Sequence, residues 1–442
     1  MIKPTLIVNG TLVNAGSSRR EDLVLENGII SLKGNFDPLL FPEHEILDAR
    51  GKLVFPGGVD PHVHLALPTP SGNSSDDFIS GSKAAIAGGT TTFIDFVTPR
   101  RGQSLKEAYQ MRNAEASVSP ANYQLHMGIS EWNPRVRAEL VHCVEKKQIK
   151  SFKAYLAYRE SIGISYAALK EVMEIVGQAG GLLMVHCEEG DMIHRLQRAF
   201  LMENKTRATF HALSRPSSTE VSAIEKVIAC SARASCPAYI VHVSTRGGAD
   251  AIAAAKKSGV KVFGETCPHY LLLDHSVYNE NLENLKVLPF IVSPPLRSPD
   301  DQSRLWEGLS DGTFDVVATD HCPFNLYGQK DRGLDDFTKI PNGAGGIEHR
   351  LGLLYTYGVL RNKITINQFV NLVSTRPAEI FGMGHHKGKL EQGYDADVLI
   401  WDPEYQGNIS VSNHVQHCDS EIYEGFQIQG RAETVILGGA IN

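Results

Sequence analysis

An α/β fold is predicted, a (β/α)8 barrel with a small β-sandwich built from both chain ends, and three observations predict it. Eight short apolar segments recur between residues 53 and 319 with helix-period stretches between them, the pattern of parallel strands joined by helices. Short alternating segments punctuated by Asn-Gly occupy residues 5–53, and the same texture returns after residue 396. Five of the apolar segments end in a residue able to bind a metal, and strand C-termini are where a closed barrel gathers its functional groups.

The sandwich opens with Leu6-Ile7-Val8-Asn9-Gly10 and Leu23-Val24-Leu25-Glu26-Asn27-Gly28, apolar alternation ending in turn signals. Ala396–Trp401 and Thr434–Gly439 complete it from the other end. Barrel strands are expected at Leu53–Val59, Thr91–Val97, Tyr123–Ile129, Ile149–Ala154, Gly181–Val185, Ala238–Val243, Val260–Glu265 and Asp315–Thr319. Asp76–Gly88, Tyr166–Ala179 and Ser217–Ala234 carry helix-period spacing. Gly88-Gly89 leads from a helix into a strand, so it reads as a helix end and not as a phosphate loop. The expected division is 1–53 and 383–442 for the sandwich and 54–382 for the barrel. Periodicity cannot prove closure, and a doubly wound open sheet is the competing architecture.

Bulk properties narrow the class. With 442 residues the chain can hold one large and one small domain, and 43 Lys+Arg against 50 Asp+Glu make it mildly acidic. Nucleic acid is therefore not an expected partner. No apolar run reaches membrane-spanning length, and Met1-Ile2-Lys3-Pro4-Thr5 lacks a leader's apolar core, so a cytoplasmic protein without membrane partners is expected. Seven dispersed cysteines, an odd number without a paired CxxC, read as reduced and packed.

The ligand candidates are His62, His64, Lys153, His186, His242 and Asp320. His62 and His64 are alternate residues of one strand and can point the same way. Taken singly, His186 or His242 at the end of an apolar strand is more often a hydrogen-bonded structural histidine, and Asp320 could cap a helix. Jointly, histidines and a carboxylate at the ends of strands one, five, six and eight point to one cavity holding a pair of divalent metals. Lys153 fits only after modification, since an ammonium repels cations and is costly to bury. A lysine whose pKa burial depresses can react with CO2 to form a carbamate, and that anion can bridge two metals.

The motifs Asp60-Pro61-His62-Val63-His64, Gly88-Gly89-Thr90-Thr91-Thr92, Phe152-Lys153, Val185-His186-Cys187-Glu188, Val241-His242-Val243-Ser244, Gly264-Glu265-Thr266-Cys267-Pro268-His269-Tyr270 and Thr319-Asp320-His321-Cys322-Pro323-Phe324 resemble those of the cyclic amidohydrolases, in family order. The resemblance implies a TIM barrel carrying a binuclear centre bridged by an N6-carboxylated lysine. Dihydroorotases place a carboxylate-binding arginine two residues after the second His of HxH, and allantoinases commonly an asparagine. Ala66 stands there in this chain and offers no donor. That favours a neutral ring, and His211–Pro216, Ser293-Pro294-Pro295-Leu296-Arg297 and Asp336–Gly343 are similar to the hydantoinase/dihydropyrimidinase branch.

Carried over residue by residue, the resemblance assigns His62, His64 and Asp320 to one metal and His186 and His242 to the other, with Lys153 between them. Zinc suits best, while nitrogen and oxygen donors also admit manganese, cobalt, iron or nickel. A hydroxide shared by the metals is expected to attack a ring carbonyl. Tyr158 would stabilise the oxyanion, Asp320 would shuttle the proton to the leaving nitrogen, and Ser293 and Asn342 would hold the cyclic amide edge. His269, His321 and Cys267 are expected to pack or support. A homo-oligomer, dimer or tetramer, is the family expectation, with the tetramer in question because the chain stops soon after its last predicted strand. A dihydroorotase or allantoinase, and a silent scaffold of the same fold, are the alternatives.

Overall fold

A computed structural model describes residues 2–145, 149–158, 160–279 and 281–442. Eight parallel strands form one sheet: β1 (Gly58–Val63), β2 (Thr90–Val97), β3 (Asn122–Ile129), β4 (Ser151–Tyr155), β5 (Leu182–His186), β6 (Ala238–Ile240), β7 (Val262–Thr266) and β8 (Val316–Val317), each paired with its neighbours in sequence order. Several of the helices between them begin on side-chain caps. Asp77 makes a capping box with Ser80 ahead of Phe78–Ala87, and Ser165 caps Tyr166–Gln178. At the end of Phe78–Ala87, Gly89 takes a φ of 84° before β2 starts at Thr90, the helix-to-strand turn that the glycine pair predicts.

Strand alternation splits the apolar residues into two layers. Val59, Ile94, Phe96, Met184, Tyr239 and Val241 pack together inside the barrel, and Ala378, Phe381 and Met383 join them. A larger cluster, including Phe152, Leu183, Val185 and Ile240, fills the space between strands and outer helices. Closure between β8 and β1 combines one backbone bridge, Val63 with His321, with side-chain contacts. Thr319 Oγ1 donates to Asp60 Oδ2 at 2.7 Å, His64 N donates to His321 O at 2.8 Å, and Arg350 Nη1 donates to Val59 O at 3.0 Å and Val317 O at 3.1 Å.

Both chain ends build the sandwich. One sheet orders Ile29–Gly34, Asp22–Glu26, Thr5–Val8 and Glu45–Asp48; the other orders Ala440–Ile441, Gln427–Leu437, Val398–Asn408, Leu53–Pro56, Thr11–Asn14 and Ser17–Arg20. Ile7, Leu23, Leu25, Val54, Val398 and Ile436 form the core between them. One expected strand is thereby corrected. Leu53–Val59 is two strands of different sheets, Leu53–Pro56 pairing with Val398–Trp401 and β1 starting at Gly58. They meet at Gly57, where a Cβ would collide with the Thr91 side chain.

Candidate active site

The C-terminal ends of the strands bring the predicted ligands together. His62 lies in β1 and His64 just beyond it, His186 ends β5, His242 follows β6 by two residues and Asp320 follows β8 by three. Lys153, expected to end its strand, sits instead at the middle of β4, because the strand runs on to Tyr155; it pairs in register with Gly128 and Met184 and is 1% exposed. The ligand atoms of His62, His242 and Asp320 lie within 4.8 Å of one another. Both His62 Nε2 and His64 Nε2 approach Asp320 Oδ1, at 3.1 and 3.2 Å. His186 Nδ1 is 3.0 Å from His242 Nε2.

This packing suits a cation better than a hydrogen-bond network. Despite its approach to Asp320, His62 Nε2 closes no hydrogen bond among the described residues, and His242 Nδ1 is likewise buried without a partner. His186 uses Nε2 toward Glu188 Oε2 at 2.8 Å, so the neutral ring turns a lone pair on Nδ1 toward His242. Four imidazoles and a carboxylate, with no thiolate among them, form the donor set of a divalent metal centre.

Backbone strain marks the same rim. Ala66, Tyr158, His242 and Asp320 have φ of 46°, 59°, 40° and 51°, a left-handed conformation that costs a non-glycine residue about 1–3 kcal/mol and persists where surroundings impose it. Three of these four are predicted site residues, so the strain aims side chains that an ordinary strand exit would point elsewhere.

Carboxylates behind the ligands fix their rings. Glu265 accepts from His62 Nδ1 at 2.7 Å, from His242 N at 2.9 Å and from the Tyr239 hydroxyl at 2.8 Å. Glu188 holds His186 and accepts from Arg215 Nη1 at 2.5 Å. Burial opposes the Glu188 charge, but Arg215 and His186 outweigh it and hold the carboxyl down at about 2. Burial holds His64 down to about 4, and it lowers Lys153 to about 8 against the pull of Glu265 and Asp320. The Lys153 ammonium lies 5.0 Å from the Phe96 ring centre and 5.2 Å from that of Tyr155. The ring faces attract the cation, so it is burial that moves Lys153 toward the neutral amine that CO2 requires.

Tyr158 lies across the pocket, its ring 5.3 Å from that of His186 and the Arg215 guanidinium 5.5 Å from its centre. Burial raises its phenol pKa, while Arg215, Ser293 and Asn342 ease ionisation. Ser293 Oγ and Asn342 Oδ1 are near enough for that influence, yet neither closes a well-formed hydrogen bond among the described residues. They are a free donor and a free acceptor beside the phenol, a pair that matches an amide edge. His321 is structural, its Nε2 3.0 Å from Asp76 Oδ2 and its Nδ1 accepting from Gly346 N.

Sequence reasoning assigned no role to Glu188, Glu265, Arg215 or Asp60. The signal for Glu265 was present: β7 also ends in a potential ligand, Glu265-Thr266, and a strand-end carboxylate facing a histidine cluster is a candidate support.

An amidohydrolase family model matches residues 53–441. A D-hydantoinase of Geobacillus stearothermophilus is 39% identical over 98% of this chain and 92% of its own length. A dihydropyrimidinase of Dictyostelium discoideum is 38% identical over 99% of this chain and 86% of its own. The crystal structure of a dihydropyrimidinase from Brevibacillus agri superposes with a TM-score of 0.96 at 37% identity, covering 99% of this chain and 94% of that one.

Proposed function

The chain belongs to the amidohydrolase family, in its hydantoinase/dihydropyrimidinase branch, and we propose from that premise that it hydrolyses the ring amide of a neutral hydantoin or dihydropyrimidine. It is a metal-dependent cyclic amide hydrolase. The observation that carries the finer reading is the convergence of His62, His64, Lys153, His186, His242 and Asp320 at one barrel mouth whose rim residue, Ala66, offers no charge.

In this reading His62, His64 and Asp320 would hold one cation and His186 and His242 a second, with carboxylated Lys153 completing the donor set. Zinc fits the donors best. Bound there, the cations supply Lewis acidity, acidifying water and polarising a carbonyl. Asp320 takes the proton that water gives up and delivers it to the ring nitrogen as the C–N bond breaks. The Tyr158 hydroxyl donates to the carbonyl oxygen as it gains charge. Ser293 and Asn342 hold the amide edge, and the strained backbone at Tyr158 and Asp320 keeps both groups aimed before substrate arrives. We assign the chemistry to the barrel, expected over residues 54–382, whose first strand begins at Gly58 once Leu53–Pro56 has joined the sandwich of 1–53 and 383–442.

Among the described residues no helix is long and apolar enough to cross a membrane. We place the chain in the cytoplasm as a homo-oligomer, dimer or tetramer, which light scattering on the purified protein measures.

Dihydrouracil, hydantoin and dihydroorotate, assayed with metal content measured on the same preparation, test the function. Ring opening of the two neutral substrates with two metals per active site is expected. Preference for dihydroorotate would overturn the argument from Ala66, and no metal with no turnover would leave a silent scaffold. Lys153→Ala should lose the active-site metals and the activity, and mass analysis under gentle conditions should find one added CO2 on the wild type. Full activity in Lys153→Ala would refute the bridge.

A further inference from the structure

Far along the chain from the catalytic ligands, loop 414–421 packs on the turn at 346–349 that follows the barrel. At their contact four side chains converge. His349 Nε2 is 3.0 Å and His414 Nδ1 3.3 Å from the same oxygen, Glu421 Oε2, and these three atoms lie within 4.8 Å of one another. The amide of Gln416 places a fourth atom 2.6 Å from Glu421 Oε2 and 3.2 Å from His414 Nδ1. Donors around a tetrahedral zinc, with bonds of about 2.0–2.1 Å, stand about 3.3 Å apart. His349, Gln416 and Glu421 are 7%, 3% and 7% exposed, so water does little to screen the cluster.

The tautomer of His414 turns a lone pair into the cluster. Its Nε2 is 3.0 Å from the Cys418 carbonyl oxygen, which can only accept. A neutral ring therefore carries its proton on Nε2 and turns the Nδ1 lone pair toward the Glu421 carboxylate. Two acceptors at that separation need a donor or a cation between them, and as placed the Gln416 amide nitrogen donates to both. A cation would draw instead on the other atom of that amide. Its Oε1 is buried without a partner among the described residues, and a half-turn of the amide, which exchanges oxygen and nitrogen, would bring that oxygen into the shell. The supporting contacts are in place: Tyr423 N donates to Glu421 Oε1 at 2.9 Å, and Glu348 Oε2 accepts from Val415 N at 2.7 Å and Gln416 N at 3.0 Å.

We propose that His349, His414, Glu421 and Gln416 form a structural site for one divalent transition metal, zinc by its donors, that clips the C-terminal loop to the barrel and shares no ligand with the catalytic centre. The proposal does not rest on the catalytic reading, because metal counting tests it without turnover. Protein purified from zinc-supplemented culture should hold one metal per chain more than Glu421→Gln or His349→Gln, and those variants should turn over dihydrouracil within about twofold of wild type. In the Lys153→Ala background one equivalent should remain, and adding Glu421→Gln should remove it. Equal metal content in wild type and Glu421→Gln overturns the site, as does a Lys153→Ala protein holding none. Should Lys153→Ala fail to fold, the wild-type and Glu421→Gln pair decides alone.

Discussion

Glu265 makes three contacts at the heart of the site, with the His62 ring, the His242 amide and the Tyr239 hydroxyl. Its contact with His62 Nδ1 holds the His62 ring with Nε2 toward the cavity, and a carboxylate behind a ligating imidazole also raises its basicity. Glu265→Gln keeps the volume and removes the charge. It should weaken metal binding by about 10–100-fold, read by competition with a graded chelator, while thermal stability without metal changes little; unchanged affinity would show that packing alone orients His62. The difference in legibility between ligand and support is physical. A histidine at the end of an apolar strand is uncommon enough to be noticed, so His62, His64, His186 and His242 could be read together. Glu188 and Glu265 look like any other carboxylate until the imidazole each one faces is known, and sequence spacing does not reveal that pairing across 203 residues between His62 and Glu265.

Two loops carry the residues expected to hold substrate, and one buried lysine ties them. Lys330 is 1% exposed, and its Nζ donates to Ile291 O at 3.0 Å and Pro341 O at 3.2 Å, just ahead of Ser293 and Asn342. Gly343 N also donates to Ile291 O at 3.0 Å. Burial pushes the Lys330 ammonium down to about 7, so its two carbonyl contacts are made at an electrostatic cost that a loop brace would justify. Lys330→Met should lower kcat/KM for dihydrouracil by about tenfold to a hundredfold through misplaced binding groups, with metal content unchanged and KM rising more than kcat falls. Kinetics like those of wild type would show that the loops hold themselves. The helix Ser217–Ala234 was fully legible, because its period is local. Leu53–Val59 was not: Pro56-Gly57-Gly58 is a breaker signal, but local sequence does not disclose that the halves on either side of it join different sheets.

At the scale of the molecule, a barrel is only as secure as the seam where its last strand meets its first. β8 has two residues, and its pairing in the eight-stranded sheet is with β7. Just beyond β8 the seam is held by the His64–His321 backbone bond, by Asp60 with Thr319 and by Arg350, which is wholly buried and also reaches Thr90 Oγ1 at 3.0 Å. Eightfold recurrence made the barrel legible from strand count, but this closure depends on an arginine 33 residues beyond Val317 that no period marks. Acid stability is governed away from the seam, at His211 in the helix Thr209–Leu213. Burial, helped by the Arg215 charge, holds His211 down to about 3, and its Nε2 contacts Val292 O at 2.9 Å. Between about pH 6.5 and pH 3 the unfolded chain binds a proton at His211 that the folded chain refuses, so stability falls as pH drops through that window, by up to about 1.4 kcal/mol per pH unit. Urea unfolding of metal-free protein across that range should show the fall, and His211→Gln, which can still donate to Val292 O, should lessen it.

Arg350→Met tests the seam directly. The substitution keeps much of the volume but leaves the carbonyls of Val59 and Val317 without a donor and deprives Asp60 of a cation 3.8 Å away. Removing one partner of a buried charged pair costs about 3–5 kcal/mol, a large share of the about 5–15 kcal/mol that holds a domain folded. Because Asp60 Oδ1 also accepts from His62 N at 3.2 Å, the loss should reach the active site. The expected variant unfolds at markedly lower urea concentration and loses metal at pH values the wild type tolerates. Arg350→Lys restores a charge but not the fork that spans two carbonyls and Thr90, so it should recover only part of the stability. Wild-type stability in Arg350→Met would place the closing interaction in the Asp60–Thr319 contact and the His64–His321 backbone bond, and Asp60→Asn would then be the variant that weakens the seam.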